Sequence, residues 1–167
     1  MNSKQIKIRD KTAILYSIKR IAYQIYENNE TEKELILAGI EKNGFLFAEK
    51  ICKDIQLISS IKIILIKLSI NKKAPLEKIN SSLELINCKN KSILVLDDVL
   101  NTGSTLIHAV KFLLQVPVNK IQTAVLVNRN HKKFPIKADF KGISLSTSMK
   151  EHIHVVLEGK NQGVFLS

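Results

Sequence analysis

Arginine is nearly missing from this chain: three residues, against 23 lysines, in a length of 167. Cysteine is as scarce. Cys52 and Cys88 stand alone, which excludes a disulfide framework and any cysteine-based metal spacing. Cys52 falls on a helical pattern and reads as a small core filler rather than a reactive thiol. Long hydrophobic runs are absent too; the longest candidates, Ile61–Leu68 and Ile93–Leu96, are strand-sized, which excludes a membrane-spanning helix. The first ten residues are polar and alternating, without the apolar core of a signal peptide, so a soluble cytoplasmic protein is expected. No repeat, low-complexity segment or linker divides the sequence, and one domain over residues 1–167 is expected.

One sign of charge dominates. The formal net charge of +11 invites a nucleic-acid reading. The lysines, however, are spread along the chain rather than blocked. Arginine, the better fork for phosphates and bases, is the residue in short supply.

What is present is an alternation of apolar patterns. Ile14, Ile18, Ile21, Ala22 and Ile25 recur at helical spacing, predicting an amphipathic helix from Asp10 to Glu27 with Asp10 as its cap. A short buried strand is expected over 34–39, a helix over 44–55 and a strand over 61–68. Asn71 to Asn80 is lysine-rich, interrupted by Pro75, and suits a mobile loop. Further strands are expected over 83–86, 92–96 and 121–127, with a helix over 104–114. Short strands near 137–140, 152–157 and 164–166 complete the reading. Strands alternating with helices predict an α/β fold, a doubly wound parallel sheet flanked by helices, with a flexible loop and short added antiparallel strands. The first helix and the sheet edges offer surfaces for a homo-oligomer, with a dimer expected.

The chemistry concentrates in Ser92-Ile93-Leu94-Val95-Leu96-Asp97-Asp98-Val99-Leu100-Asn101-Thr102-Gly103-Ser104-Thr105. A doubly buried strand runs into two carboxylates and then into a small-residue turn that opens a helix. Open α/β sheets bind ligands at that carboxyl edge. The turn from Asn101 to Thr105 supplies a glycine, three hydroxyls and free backbone N–H groups at a helix N-terminus, an anion site. Carboxylates repel phosphate, so Asp97 and Asp98 should meet sugar hydroxyls or a cation while the turn holds a phosphate one short sugar away. A ribose 5-phosphate fits both halves. The same residues also suit an ordinary strand–turn–helix in which the acids solvate a strand end and Ser104 caps the helix.

The full string resembles the phosphoribosyl-diphosphate (PRPP) signature of the type I phosphoribosyltransferases. Residues Leu37-Ala38-Gly39-Ile40-Glu41-Lys42-Asn43-Gly44 resemble that family's pyrophosphate loop. The stretch from Val125 to Gly142, with Ser146-Thr147-Ser148 after it, looks like the C-terminal half of the PyrR proteins, bifunctional uracil phosphoribosyltransferases that also regulate pyrimidine-operon mRNA. The first helix, with Ala13, Ile18, Arg20, Ile21 and Ala22, has the same placement as theirs.

The resemblance implies that Asp97 and Asp98, the candidate catalytic pair, contact the ribose hydroxyls of PRPP or a nucleotide. Asn101, Thr102, Gly103, Ser104 and Thr105 would cradle the 5-phosphate. Glu41, Lys42, Asn43 and Gly44 would form the pyrophosphate loop, and Asn128, Arg129 and His131 would lie on the base side. The implied partners are PRPP with a nucleobase, uracil first, or a nucleoside monophosphate. Mg²⁺ would be carried by the pyrophosphate, with no protein metal ligand. His131 also suits a plain surface-loop histidine, and His108, His152 and His154 share no ligating spacing, so structural roles are expected for them.

Two departures from the family stand on the leaving-group side. Lys42-Asn43 replaces a Thr-Arg pair, and asparagine has no guanidinium fork. In the flexible loop, Lys67-Leu68-Ser69-Ile70-Asn71-Lys72-Lys73 stands where the PyrR proteins carry Tyr-Arg-Asp-Asp, so the charge survives only as lysine. An active uracil enzyme is the first reading. A nucleotide-sensing RNA-binding regulator with weakened catalysis is the second, and a purine or orotate enzyme of the same fold the third.

Overall fold

The computed structural model describes residues 5–167. In chain order its elements are β1 (Ile6–Asp10), α1 (Lys11–Asn29), β2 (Glu34–Ile40), α2 (Asn43–Ile58), β3 (Lys62–Ser69), β4 (Asn80–Ser81), a 3₁₀ turn (Leu85–Cys88), β5 (Ser92–Leu100), α3 (Ser104–Leu113), β6 (Lys120–Arg129), β7 (Phe140–Leu145), β8 (Ile153–Val156) and β9 (Gly163–Leu166). Six strands form one sheet in the order β4-β3-β2-β5-β6-β7, all parallel except β4 at the edge. β1, β9 and β8 form a separate antiparallel sheet.

The central strands are apolar without alternation because both faces are covered. On one face α1 and α2 lay Ile14, Ile18, Ile21, Ile25, Phe47 and Ile51 against Leu37, Leu94 and Leu96. On the other, Leu106, Ala109 and Leu113 of α3 meet Ile36, Ile66, Ile93 and Val95. Fully burying one such side chain contributes roughly 1.5–3 kcal/mol. Helix α1 starts where expected, with the Ala13 N–H donating to Asp10 Oδ1 at 2.8 Å. Arg20 ties α1 to β7 by donating to the carbonyls of Gly142 (2.6 Å) and Lys141 (3.3 Å).

The connections place a crevice. β2 leads through α2 to β3 on one side, and β5 leads through α3 to β6 on the other. The adjacent strands β2 and β5 therefore send their chains in opposite directions, which makes the gap beyond their carboxyl ends a topological switch point. Pairing between them stops at Gly39 and Leu96, while β5 stays paired with β6 as far as Leu100. Asp97 and Asp98 begin where β5 loses its neighbour.

Several elements differ from the sequence expectation. β5 runs to Leu100 rather than Leu96, because β6 continues to pair with it past the acids. Residues 83–86 form no strand; the antiparallel partner of β3 is Asn80–Ser81, at the end of the expected loop, and a 3₁₀ turn follows. β7 is Phe140–Leu145, so the strand expected at 137–140 starts where that one ends. β1 was not expected, since its exposed alternating residues carry little apolar signal and its partner, β9, lies at the other end of the chain. Both cysteines are buried. No helix among the described residues is long and apolar enough to cross a membrane.

Candidate functional site

β5 delivers Asp97 and Asp98 into a cleft of about 350 Å³ at the switch point. Asn101, Thr102, Gly103, Ser104 and Thr105 line the same cleft, together with Lys72 and Ile153. The two acids differ in setting: Asp97 is 2% exposed, and the Asp98 side chain is 13% exposed. Burial pushes the Asp97 carboxyl up to about 7; Lys72 opposes that rise and Asp98 adds to it.

The turn after β5 leads straight into the N-terminus of α3. Gly103 holds the left-handed conformation, φ 85°, which glycine adopts without a steric cost. A Cβ there would also stand 2.7 Å from the Ile136 Cγ2. The first helix-closing bond runs from the Ile107 N–H to the Gly103 carbonyl (3.0 Å), so the N–H groups ahead of it have no intrahelical partner. Ser104 is not the cap. It is the first residue of α3, and its N–H donates to Thr102 Oγ1 at 3.3 Å. From behind, the Thr102 carbonyl accepts the N–H groups of Lys133 (2.8 Å) and Phe134 (3.1 Å), which pin the turn to the segment after β6.

Glu41 and Lys42 form the β2–α2 connection, and Asn43 and Gly44 open α2 beside the acids. The Glu41–Lys42 peptide is cis. Asn43 Nδ2 donates to Asp98 Oδ2 and to the Val155 carbonyl, both at 2.9 Å. A Cβ on Gly44 would stand 2.7 Å from the Leu96 carbonyl oxygen and 2.9 Å from the Asp97 Cα, so only glycine lets α2 start this close to β5. Glu41 faces away from the acids. It accepts from Ser69 Oγ and lies 3.7 Å from Lys67 Nζ.

Asn128, Arg129 and His131 do not line the cleft. Arg129 is 5% exposed and its guanidinium donates to Thr147 Oγ1 (2.7 Å), the Ser148 and Glu151 carbonyls (2.8 and 2.7 Å) and Asn101 Oδ1 (3.4 Å). His131 Nε2 lies 2.8 Å from the Thr147 carbonyl. Both side chains hold residues 147–151, and Arg129 ties them to Asn101 in the turn after β5. Asn128 Nδ2 donates to Ser144 Oγ (3.3 Å), while its Oδ1 is buried with no partner. His108 has the structural place expected of it: Nδ1 lies 2.7 Å from the Ser104 carbonyl.

Sequence reasoning kept the loop lysines as general positive charge and did not place Lys72. Its Nζ lies 3.0 and 3.3 Å from the two carboxylate oxygens of Asp97 and 3.7 Å from Asp98 Oδ1. Burial alone would lower the Lys72 ammonium, but Asp97 and Asp98 outweigh it and hold it above its ordinary value. No spacing in the sequence signals that contact, or the wall supplied by Ile153.

A model of the phosphoribosyl transferase domain matches residues 5–158. A protein named Bifunctional protein PyrR from Caldicellulosiruptor saccharolyticus is 33% identical over 162 residues, which cover 91% of this chain and 88% of that one. A protein of the same name from Fusobacterium nucleatum subsp. nucleatum is also 33% identical, over 99% of this chain and 100% of its own. Among solved structures, a hypoxanthine-guanine phosphoribosyltransferase from Bacillus anthracis superposes with a TM-score of 0.77 at 17% identity, covering 96% of each chain. The hypoxanthine phosphoribosyltransferase of Trypanosoma cruzi gives 0.78 at 14%, covering 96% of this chain and 94% of that one.

Proposed function

The chain belongs to the phosphoribosyltransferase family, and from that premise we propose that it binds PRPP and transfers ribose 5-phosphate to a nucleobase, uracil first, releasing pyrophosphate. One observation carries the reading: two acids and a small-residue turn with free N–H groups at a helix N-terminus line a single cleft. In this reading the turn from Asn101 to Thr105 holds the 5-phosphate. Asp97 and Asp98 accept from the ribose hydroxyls. Displacement of pyrophosphate at C1 builds positive charge on the ribose ring, as in glycosyl transfer, and the two carboxylates, set against the ribose in this reading, would favour that charge. No protein nucleophile is needed. Catalysis consists of holding the ribose, shielding the leaving group and excluding water.

The donor set suits a cation brought by the ligand. Among the described residues no group of three ligating side chains exists, whereas Asp97 and Asp98 already hold an ammonium between them. Mg²⁺ arriving on PRPP would neutralise the pyrophosphate as it departs. On the base side, the Asn128 amide is turned to Ser144, and its Oδ1 is buried and unpaired. Arg129 and His131 act in this reading by fixing the Thr147–Glu151 segment rather than by touching the base.

A second reading draws on the leaving-group side. Asn43 is held by Asp98 and Val155, and Lys67 is matched by Glu41, so neither presents an unpaired group to pyrophosphate. That arrangement favours a nucleotide sensor that binds RNA, as the resemblance to the PyrR proteins implies. The deciding experiment is pyrophosphate release from PRPP and Mg²⁺ with uracil and then other bases, alongside calorimetry of PRPP and UMP. Uracil-dependent release supports the enzyme. Tight binding without release for any base supports the sensor, whose binding to pyrimidine leader RNA should fall steeply with salt and respond to UMP or PRPP. No binding of either ligand overturns both.

A further inference from the structure

The segment between β3 and β4 has its own shape. The Ala74 N–H donates to the Asn71 carbonyl and the Glu77 N–H to the Ala74 carbonyl, each at 3.0 Å, giving two successive turns. Asn71 Nδ2 braces them by donating to Glu77 Oε2 at 2.8 Å. This frame carries Lys72 over the acids. Its neighbour Lys73 contributes a backbone N–H to Asn71 Oδ1 at 3.1 Å, which belongs to the frame itself.

The pair formed by Lys72 is lopsided. Asp97 is buried, and its carboxylate needs a positive partner or a set of donors to stay charged there. The Lys72 side chain is 44% exposed, so its ammonium can return to water with little penalty. It also straddles both carboxylates, the two groups a ribose would engage, within the cleft that holds the phosphate turn. An ammonium and a ribose diol cannot both occupy the lone pairs of Asp97 that face the cleft.

We infer that Lys72 is a resident counter-ion of this site, which a ribose 5-phosphate ligand must displace from Asp97 and Asp98, so that this one side chain sets the affinity for the ligand. The inference rests on the ribose 5-phosphate reading of the cleft and adds to it the group given up on binding. Hydroxyl protons of the ribose replace the ammonium protons on Asp97. The segment carrying Lys72 then moves off the carboxylates, and the ammonium returns to solvent.

UMP serves as the probe, with the full chain. Lysine side chains are labelled by brief acetylation and read by mass spectrometry, with and without saturating UMP. Lys72 should label more slowly than Lys73 in the free protein and accelerate severalfold with UMP, while Lys73 stays constant. Calorimetry should show Lys72→Met binding UMP roughly three- to tenfold tighter than wild type, since the competing ion pair is of the partly exposed kind. Lys72→Arg, which keeps the charge, should not gain affinity. Binding of UMP with Lys72 labelling unchanged or slowed, or with no gain in Lys72→Met, overturns the exchange while leaving the site reading intact. Absence of UMP and PRPP binding in both wild type and Lys72→Met overturns the site reading and the exchange with it.

Discussion

Asn43 Nδ2 lies 2.9 Å from Asp98 Oδ2 and 2.9 Å from the carbonyl of Val155, so one amide joins the β2–α2 connection, the end of β5 and the small antiparallel sheet. Both of its protons are used.

Replacing Asn43 with alanine removes both bonds and should lower unfolding free energy by about 1–3 kcal/mol. Asn43→Asp should be worse, since it sets a second carboxylate against Asp98 and offers Val155 no donor. Urea denaturation of the two variants against wild type measures the order.

Asp98→Asn and Thr102→Ala should each weaken UMP binding by roughly tenfold or more, the scale of a lost charge-assisted hydrogen bond in the first case. Both should keep the wild-type far-ultraviolet spectrum and cooperative melting. Calorimetry with circular dichroism checks the pair; retained affinity in both contradicts the assignment of the cleft.

The raised Asp97 carboxyl links stability to pH. Its folded pKa, about 7 against an ordinary 3.8, means the folded chain holds this proton more tightly than the unfolded one. Its contribution is therefore fully present below about pH 4 and is lost as pH rises through about 7. Asp97→Asn removes the titration. The stability of wild type relative to this variant should decline between pH 4 and 8, by on the order of a few kcal/mol. Denaturant titrations at fixed pH values supply the curve, and a flat difference rejects the linkage.

Gly103→Ala places a side chain in a left-handed conformation and drives it toward Ile136. The backbone penalty alone is about 1–2 kcal/mol, or a few degrees in melting temperature for a chain of this size. UMP affinity should fall with it, because the turn cannot keep both its φ and its distance from Ile136.

Arg129→Lys should behave more like Arg129→Ala than like wild type. A single ammonium cannot span Thr147, the Ser148 and Glu151 carbonyls and Asn101. Either change should release the 147–151 segment, read as faster tryptic cleavage after Lys150, together with a stability loss of about 1–3 kcal/mol from the lost charge-assisted hydrogen bonds.

The parallel sheet was legible because a doubly buried strand leaves an unbroken apolar run, as in Ile93-Leu94-Val95-Leu96, and because helices with Ile14-Ile18-Ile21-Ile25 spacing separate such runs. That the acids and the small-residue turn would share one edge of the sheet was legible because both lie in one continuous stretch of sequence, positioned by local strand–turn–helix geometry. What escaped depends on pairing across distance. β1 becomes a strand only because Ile6 meets Leu166 and Asp10 meets Gly163 at the far end of the chain. Leu83 to Ile86 has strand-like composition but no free edge to join, since Asn80–Ser81 already borders β3. Lys72 reads as one lysine among 23 until the fold of its segment lays it on Asp97. Arg129 stands beside residues that match the family, yet its depth and its four partners are tertiary facts.

Arg20 holds the carbonyls of Lys141 and Gly142, and Arg129 those of Ser148 and Glu151, so these two guanidinium groups are occupied with the chain's own backbone. Anion contacts and counter-charge at the cleft consequently come from separate sources. Backbone N–H groups fixed in the turn are free to meet an anion, whereas the primary amine of Lys72 sits on the acids. A pocket divided in this way recognises where an anion sits more strictly than how it is shaped. Amine-directed reagents that neutralise Lys72 would therefore free the acids rather than remove an anion contact, whereas a guanidine-directed reagent such as phenylglyoxal would find no target in the cleft.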